Sequence, residues 1–409
     1  MSKHIVHPIQ PVYNQYSRIL ILGSFPSPKS REEGFFYGNP QNRFWRIMAF
    51  VYDEPTPETV EEKNDFLLRN GIALWDVVAE CTIEGASDAS ITDVRPNDLS
   101  EILNTAAIEA IFTTGTKATQ LYRRLCKPAN GIPCTALPSP SPANARMSFD
   151  ELWDIYSKAL SPYQDTTPYP MLDVNEVVDL EQAIAQSGTS LHTLMHRAGR
   201  FLGYYATQLA ALYAPTPHKD DPYRAAIFCG HGNNGGDGWV AADYLAQAGW
   251  QVDIICTGAP HTIKAEPART TACELEDDLT RNPNVRILEN PTDAELAVAT
   301  SKAQVLIDAL LGTGFSDETV REPFATWIKT INGAKEHGAY VIAADVPSGF
   351  SAQHGTPAQP CIQADATITM LTYKTGFAAE DADFYCGMIK VAPLAYNDTF
   401  WARRHSKDQ

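Results

Sequence analysis

Apolar positions along this chain fall into two patterns that alternate. Short continuous runs, "RILILGS" from Arg18, "GIALWDVV" from Gly71 and "AIEAIFTTG" from Ala107, predict strands buried on both faces. Between them, "NRFWRIMAFVY" and "TKATQLYRRLCK" repeat apolar residues at three- and four-residue spacing, which predicts amphipathic helices. The alternation then resumes. "RAAIFCG", "WQVDIICTG", "AQVLIDALLG", "AYVIAADVPSG" and "ATITMLT" predict strands, with helical segments such as "GWVAADYLAQAG" between them. Strand and helix in turn predict an α/β protein of two domains, each an αβα layered fold with a mainly parallel sheet. Three prolines among polar turn residues make 161–170 the linker, leaving domains at 1–160 and 171–409. No internal repeat relates the halves.

Length agrees with this division, because 409 residues exceed what one ordinary core supports. With 44% hydrophobic and 20% charged residues, no run long enough to cross a bilayer and no leader pattern at the start, the expectation is a soluble cytoplasmic protein without a membrane partner. Eight cysteines without a CxxC fit reduced thiols, so no zinc and no iron–sulfur cluster is expected. A net charge of −17 opposes bulk attraction to nucleic acid. The acidity is uneven, however: residues up to Pro170 carry 15 basic against 20 acidic side chains, so a local groove there can still take DNA.

In the second half three polar segments follow three strands: "GHGNNGGDG", "DALLGTGFS" and "DVPSG". Carboxyl ends of parallel strands form the ligand crevice, so the three should converge there. Gly230, Gly232 and Gly235 have dinucleotide-fingerprint spacing, but the next strand ends on Cys256 and Thr257 rather than on a ribose-binding acid. A plain nicotinamide dehydrogenase is therefore disfavoured. Taken singly, Asp308 and Asp345 could cap helices and "NNGGDG" could be a turn; together they point to a site.

"GNNGGDG", "DALLGTG" and "DVPSG", in that order after "LMHRAGR", resemble the NAD(P)H-hydrate epimerase family over Met171 to Leu394. The resemblance implies a Rossmann-like fold that interconverts the R and S forms of hydrated NADH or NADPH at ring carbon six. It implies that Asn233, Asn234, Gly235, Gly236 and Asp237 cradle phosphates, and that Gly312, Thr313, Gly314, Phe315, Ser316 and Asp345 close on ring and ribose. It also implies one potassium ion on Asn234, Asp308 and Ser348, hard oxygen donors unsuited to zinc. Asp345, at a strand end, is the expected proton-transfer residue. A lysine frequent in the family after "DALxG" is missing from "GTGFSDETVREP". Lys374 follows another strand, and a site, structural or surface role stays open for it. A homodimer is among the partners this reading allows.

In the first half, "LILGSFPSPKS", "EEGFFYGNPQNRFW" and "TALPSPSPANAR" supply an aromatic to stack on, amides to read a ring edge, and stiff loops. They resemble the uracil-DNA glycosylase superfamily, in its hypoxanthine (deoxyinosine) branch, over Arg18 to Leu160. The resemblance implies flipping and hydrolytic excision of a deaminated base, hypoxanthine or uracil, from DNA. Phe25 and Leu137 stand where many members carry their catalytic polar residues. Asn39 is then the expected catalytic amide and Tyr37 the stacking ring, while Asn42 competes with Asn39 but suits a helix cap. Ser139 and Ser141 are candidates for phosphate, and Lys29, Arg43, Lys117 and Arg146 for the DNA backbone or a solvated surface. The alternatives are a non-catalytic nucleic-acid or partner-binding first domain, and a second domain that binds a nucleotide without turnover.

Overall fold

The computed structural model describes residues 3–85, 90–126, 131–219, 221–280 and 282–406. The chain divides into two compact units, Met1–Thr167 and Pro168–Gln409, and the division falls inside the proline-rich segment, whose start, Ser161–Tyr163, is a 3-10 turn.

The first unit has strands β1 (Lys3–Val6), β2 (Ile19–Gly23), β3 (Ile72–Asp76), β4 (Val78–Ile83), β5 (Thr92–Pro96), β6 (Ala110–Thr114) and β7 (Cys134–Leu137). Four of them make an all-parallel sheet in the order β3-β2-β6-β7, with Ile19 beside Ile72 on one side and Ala110 on the other. Successive side chains of a strand point to opposite faces, so each apolar run feeds two cores. Ile19, Ile21, Leu74 and Phe112 pack beneath the helices Phe44–Tyr52 and Phe149–Leu160; Leu20, Leu22, Ala73 and Ile111 pack on the other side with Leu121 and Tyr122 of the helix Thr116–Leu125. The run "GIALWDVV" is not one strand. It breaks at Val77, and β4 turns away to pair antiparallel with β1 and β5 in a separate three-stranded sheet. That sheet has no apolar signature because β1 and β5 are mostly exposed.

The second unit contains β8 (Met171–Leu172), β9 (Arg224–Cys229), β10 (Gln251–Cys256), β11 (Val285–Glu289), β12 (Val305–Ala309), β13 (Tyr340–Ala344), β14 (Ala366–Met370), β15 (Tyr373–Lys374) and β16 (Met388–Ala392). Seven of these form one parallel sheet, β11-β10-β9-β12-β13-β14-β16, and β8 pairs with β15 apart from it. The chain winds outward from β9 through β10 to β11, then returns to place β12 on the other side of β9. Order reverses between β9 and β12, which opens a crevice at their carboxyl ends. On one face the helices Asp293–Lys302 and Phe324–Glu336 bury Leu296, Trp327 and Ile328 against Phe228 and Leu306. The helices Leu191–Tyr213 and Asn233–Gln247 pack on each other. Among the described residues, no helix is long and apolar enough to cross a membrane.

Candidate functional sites

The crevice of the second unit is a cavity of about 560 Å³. The polar run after β9 is mostly helix rather than loop: the helix begins at Asn233, with Gly232 as its side-chain-free cap. A helix start is a natural seat for an anion, since its first N–H groups lack intrahelical partners. Asn233, Asn234, Asp237, Gly312, Thr313, Gly314, Phe315 and Asp345 all line the cavity. Gly235, Gly236 and Ser316 do not. A Cβ on Gly235 would lie 2.1 Å from the Gly230 carbonyl oxygen, and one on Gly236 would lie 2.3 Å from Met195 Sδ. These two glycines therefore let the helix start pack closely, and neither lines the cavity.

Beneath the crevice lie the three side chains expected to hold an ion. Asp308 and Ser348 are completely buried. Ser348 donates its N–H to Asp308 Oδ2 at 2.7 Å and its hydroxyl to Oδ1 at 2.5 Å, and Leu310 N–H reaches Oδ1 at 3.3 Å. Asn234 donates its amide to the Leu311 carbonyl at 3.1 Å, and its buried Oδ1 has no hydrogen-bond partner among the described residues. Asn234 and Ser348 both bond the Leu311 carbonyl, and an orphaned carboxamide oxygen with a buried carboxylate and a hydroxyl makes a set of hard donors whose chemistry fits potassium. Burial pushes Asp308 up to about 6 despite its bonds from Ser348; a neighbouring cation favours its ionised form.

Asp345 adopts φ 60°, the left-handed region, immediately after β13. Its Oδ1 accepts from Met370 N–H at 3.0 Å, from Thr369 Oγ1 at 3.2 Å and from the Lys374 ammonium. Lys374 is fully buried and also donates to Thr369 Oγ1 and the Met370 carbonyl, both at 2.8 Å. A surface position for Lys374 is thus ruled out. Two more carboxylates share this space. Burial and then Asp345 push Asp237 well above the usual carboxylate range, and the same two causes in the same order push Glu181 up to about 7. Glu181, on the helix Val174–Gln186, lines the crevice but carries no motif; in the sequence it reads as a polar helix position.

In the first unit a cavity of about 1100 Å³ opens at the carboxyl ends of β2, β3, β6 and β7. Tyr37, at φ 53°, lines it with its ring stacked on Phe44 at 3.8 Å and its hydroxyl 2.9 Å from Thr114 Oγ1. Asn39 does not line it; its Oδ1 accepts from Gln41 N–H at 2.9 Å. Asn42 does line it, while its Oδ1 accepts from Phe44 N–H at 2.9 Å at the helix start. Arg43 is not available to DNA: its guanidinium donates to the carbonyls of Pro140, Ser141, Asn144 and Met147, which ties the proline loop to the helix. Ser139, Ser141 and Arg146 line the cavity. Lys29 pairs with Glu32 at 2.8 Å, and Lys117 donates to the Ile91 carbonyl at 3.4 Å.

The cavity also contains a pair with no sequence motif. Asp76, at the end of β3, lines it, and Asp76 Oδ2 lies 2.9 Å from His7 Nε2, both side chains being almost fully buried. His7 Nδ1 accepts from Ile9 N–H at 3.2 Å, which assigns the ring proton to Nε2 and makes His7 the donor to Asp76. Phe25, which stands where a catalytic polar residue is usual, packs edge-on against His7 at 5.7 Å.

The family model of YjeF-related protein N-terminus matches residues 191–376. An NAD(P)H-hydrate epimerase of Pirellula staleyi is 32% identical over 214 residues, which cover 52% of this chain and 87% of the relative. The chain belongs to the NAD(P)H-hydrate epimerase family. A bifunctional NAD(P)H-hydrate repair enzyme of Coxiella burnetii is 34% identical over 227 residues, covering 55% of this chain and 41% of that one, so the chain spans less than half of that relative. The model of the uracil DNA glycosylase superfamily matches residues 10–159. The solution structure of a putative uracil DNA glycosylase from Methanosarcina acetivorans is 32% identical, at a TM-score of 0.34, over 38% of this chain and 98% of that one. The region that matches the epimerase family thus follows one that matches the uracil DNA glycosylase superfamily model.

Glu181 yields a test of the crevice electrostatics. Its folded value near 7 lies above the unfolded value of about 4.3, so folding takes up a proton and stability is lost as pH rises through that window. Glu181→Gln removes this loss. Its melting temperature should exceed that of the parent by about 2–4 °C at pH 8, the shift expected of roughly 1 kcal/mol, and the gain should vanish near pH 4.5.

Proposed function

We propose that the second domain interconverts the R and S forms of hydrated NADH and NADPH at ring carbon six. The observation that carries this reading is the convergence, in one crevice, of a helix start, a hard-oxygen donor set and a carboxylate held by a buried lysine. The hydrate's phosphates face Asn233 and the helix start, and the raised Asp237 carboxyl is compatible with them because it is readily neutral. Gly312 to Phe315 cover the ring. Exchange at the hydrated carbon requires a bond to oxygen or nitrogen to break and re-form, and Asp345 moves the proton that this transfers. Lys374, Thr369 and the Met370 N–H fix one oxygen of that carboxylate and leave the other for substrate. Potassium on Asn234, Asp308 and Ser348 supplies positive charge to a crevice otherwise rich in carboxylates.

For the first domain, we infer hydrolytic excision of a deaminated base, hypoxanthine or uracil, from DNA. The cavity offers Tyr37 for stacking and Arg146 for phosphate, and Asp76 offers the carboxylate that Phe25 does not. In this reading Asp76 orients the water that attacks the sugar carbon as the bond to the base breaks, and Asp76 takes the water's proton. His7 holds Asp76 in place. In this reading Asn42 is the amide that reads the base, since it lines the cavity and Asn39 does not.

Three outcomes follow. Asp345→Asn should slow exchange of the S and R hydrates, followed by chromatography, by about a hundredfold or more while hydrate binding persists; an unchanged rate removes Asp345 from the reaction. Potassium should raise the melting temperature above that in equimolar tetramethylammonium. Because Asp308 is raised to about 6 from about 4 in the unfolded chain, stability without the ion is lost as pH rises between these values, so the potassium effect should be full at pH 7.5 and absent below pH 4. Finally, oligonucleotides containing deoxyinosine or deoxyuridine should yield abasic product with the parent protein, and about a hundredfold less with Asp76→Asn. No product from folded parent protein favours a binding module instead.

A further inference from the structure

Outside both cavities, three side chains bring their ligand atoms together. His192 and His196 lie one turn apart near the start of the helix Leu191–Tyr213, and Glu274 lies on the helix Ala268–Asp277. His192 Nε2 and His196 Nε2 are 3.2 Å apart, and Glu274 Oε2 is 3.2 Å from the first and 3.4 Å from the second. We propose that His192, His196 and Glu274 form a site for a divalent transition metal, filled by Zn2+, with a water molecule as fourth ligand.

The distances carry this assignment. A triangle with these edges has its corners roughly 1.9 Å from its centre, so an ion about 2.0–2.1 Å from each atom sits roughly 0.8 Å out of the plane, as a tetrahedral zinc site requires. Hydrogen bonding alone accounts for the cluster less well: one Nε2–H cannot serve both the other imidazole and the carboxylate at full strength, and two imidazoles facing through Nε2 leave a lone pair in the same small space. Two imidazole nitrogens and one carboxylate suit zinc and are poor for potassium or magnesium. All three side chains are about half exposed, which leaves the fourth position to solvent.

The site also has a structural consequence. Met195, between the two histidines in sequence, lines the crevice and accepts from Thr271 Oγ1 on the glutamate's helix at 3.5 Å. Gly236 sits against Met195 Sδ and Ala268 Cα, so the helix start of the crevice is wedged between the two helices that the metal joins. A metal bound here clamps the walls of that wedge without entering the cavity. Sequence spacing hides it, because the third ligand is distant in the chain and no cysteine takes part.

The test uses the untagged full chain, stripped with chelator and kept in potassium buffer. Zn2+ titrated calorimetrically should bind at one ion per chain with micromolar or tighter affinity, and Co2+ should give the intense visible absorption of a four-coordinate ion without a thiolate band. His192→Ala and His196→Ala, which stay folded because these positions are half exposed, should each weaken binding by about a hundredfold or more, and Glu274→Gln by at least about tenfold. Zinc should raise the melting temperature of the parent but not of the histidine variants. Millimolar binding, a thiolate band, or binding unchanged in the double histidine variant would overturn the proposal.

Discussion

A fully buried carboxylate, Asp308, is the constraint around which the second domain is assembled. A buried charge is tolerated only when hydrogen-bonded and paired. Ser348, from the segment after β13, meets it with both backbone and hydroxyl, and the Leu310–Leu311 turn after β12 wraps back over it. Asn234, from the helix after β9, then fastens to the Leu311 carbonyl. One anion thus ties together the ends of three strands. The crevice above keeps its shape because the groups below it have nowhere else to satisfy their polarity.

Charge balance in the crevice follows the same logic one layer up. Asp345, Asp237 and Glu181 share the space with the buried ammonium of Lys374, which is committed to Asp345. Burial first, and the nearby Asp345 charge second, raise the proton affinity of Asp237 and Glu181. The arrangement separates roles: one carboxylate is held with a countercharge, and two are poised to be neutral when an anionic ligand enters.

How much of this was legible in the sequence depends on whether a feature is local. The buried strands were legible because a parallel sheet covered on both faces demands unbroken apolar runs, as "AAIFC" and "QVLI" show. That the polar segments after β9, β12 and β13 meet was legible because strand ends in such a sheet lie at one edge, whereas the set Asn234, Asp308 and Ser348 is what the epimerase resemblance implies. Glu181 was not, since a polar residue on a helix face looks the same whether it faces solvent or a crevice. For Arg43 and Asn39 the reason is related: composition marks a cation or amide as available but does not show that four carbonyls engage the guanidinium, or that the amide lies outside the cavity lining. Gly230, Gly232 and Gly235 matched a dinucleotide loop in spacing, yet the missing side chain at Gly235, as at Gly236, serves close packing.

If the first domain is a glycosylase, as proposed, Asp76 supplies from β3 the carboxylate that the segment after β2 lacks. Phe25 takes the position of a polar residue, and its ring covers one edge of His7, helping to exclude water from the His7–Asp76 contact. Gly23 completes the arrangement: a Cβ there would fall 2.1 Å from Asp76 Oδ1, so the strand end must be bare for the carboxylate to reach the cavity. The small residue of one strand, the acid of its neighbour and an imidazole from the amino-terminal segment form a single unit. A side chain at Gly23 is incompatible with Asp76 where it stands. In the proposed glycosylase reading the carboxylate therefore comes from β3 rather than from the loop after β2.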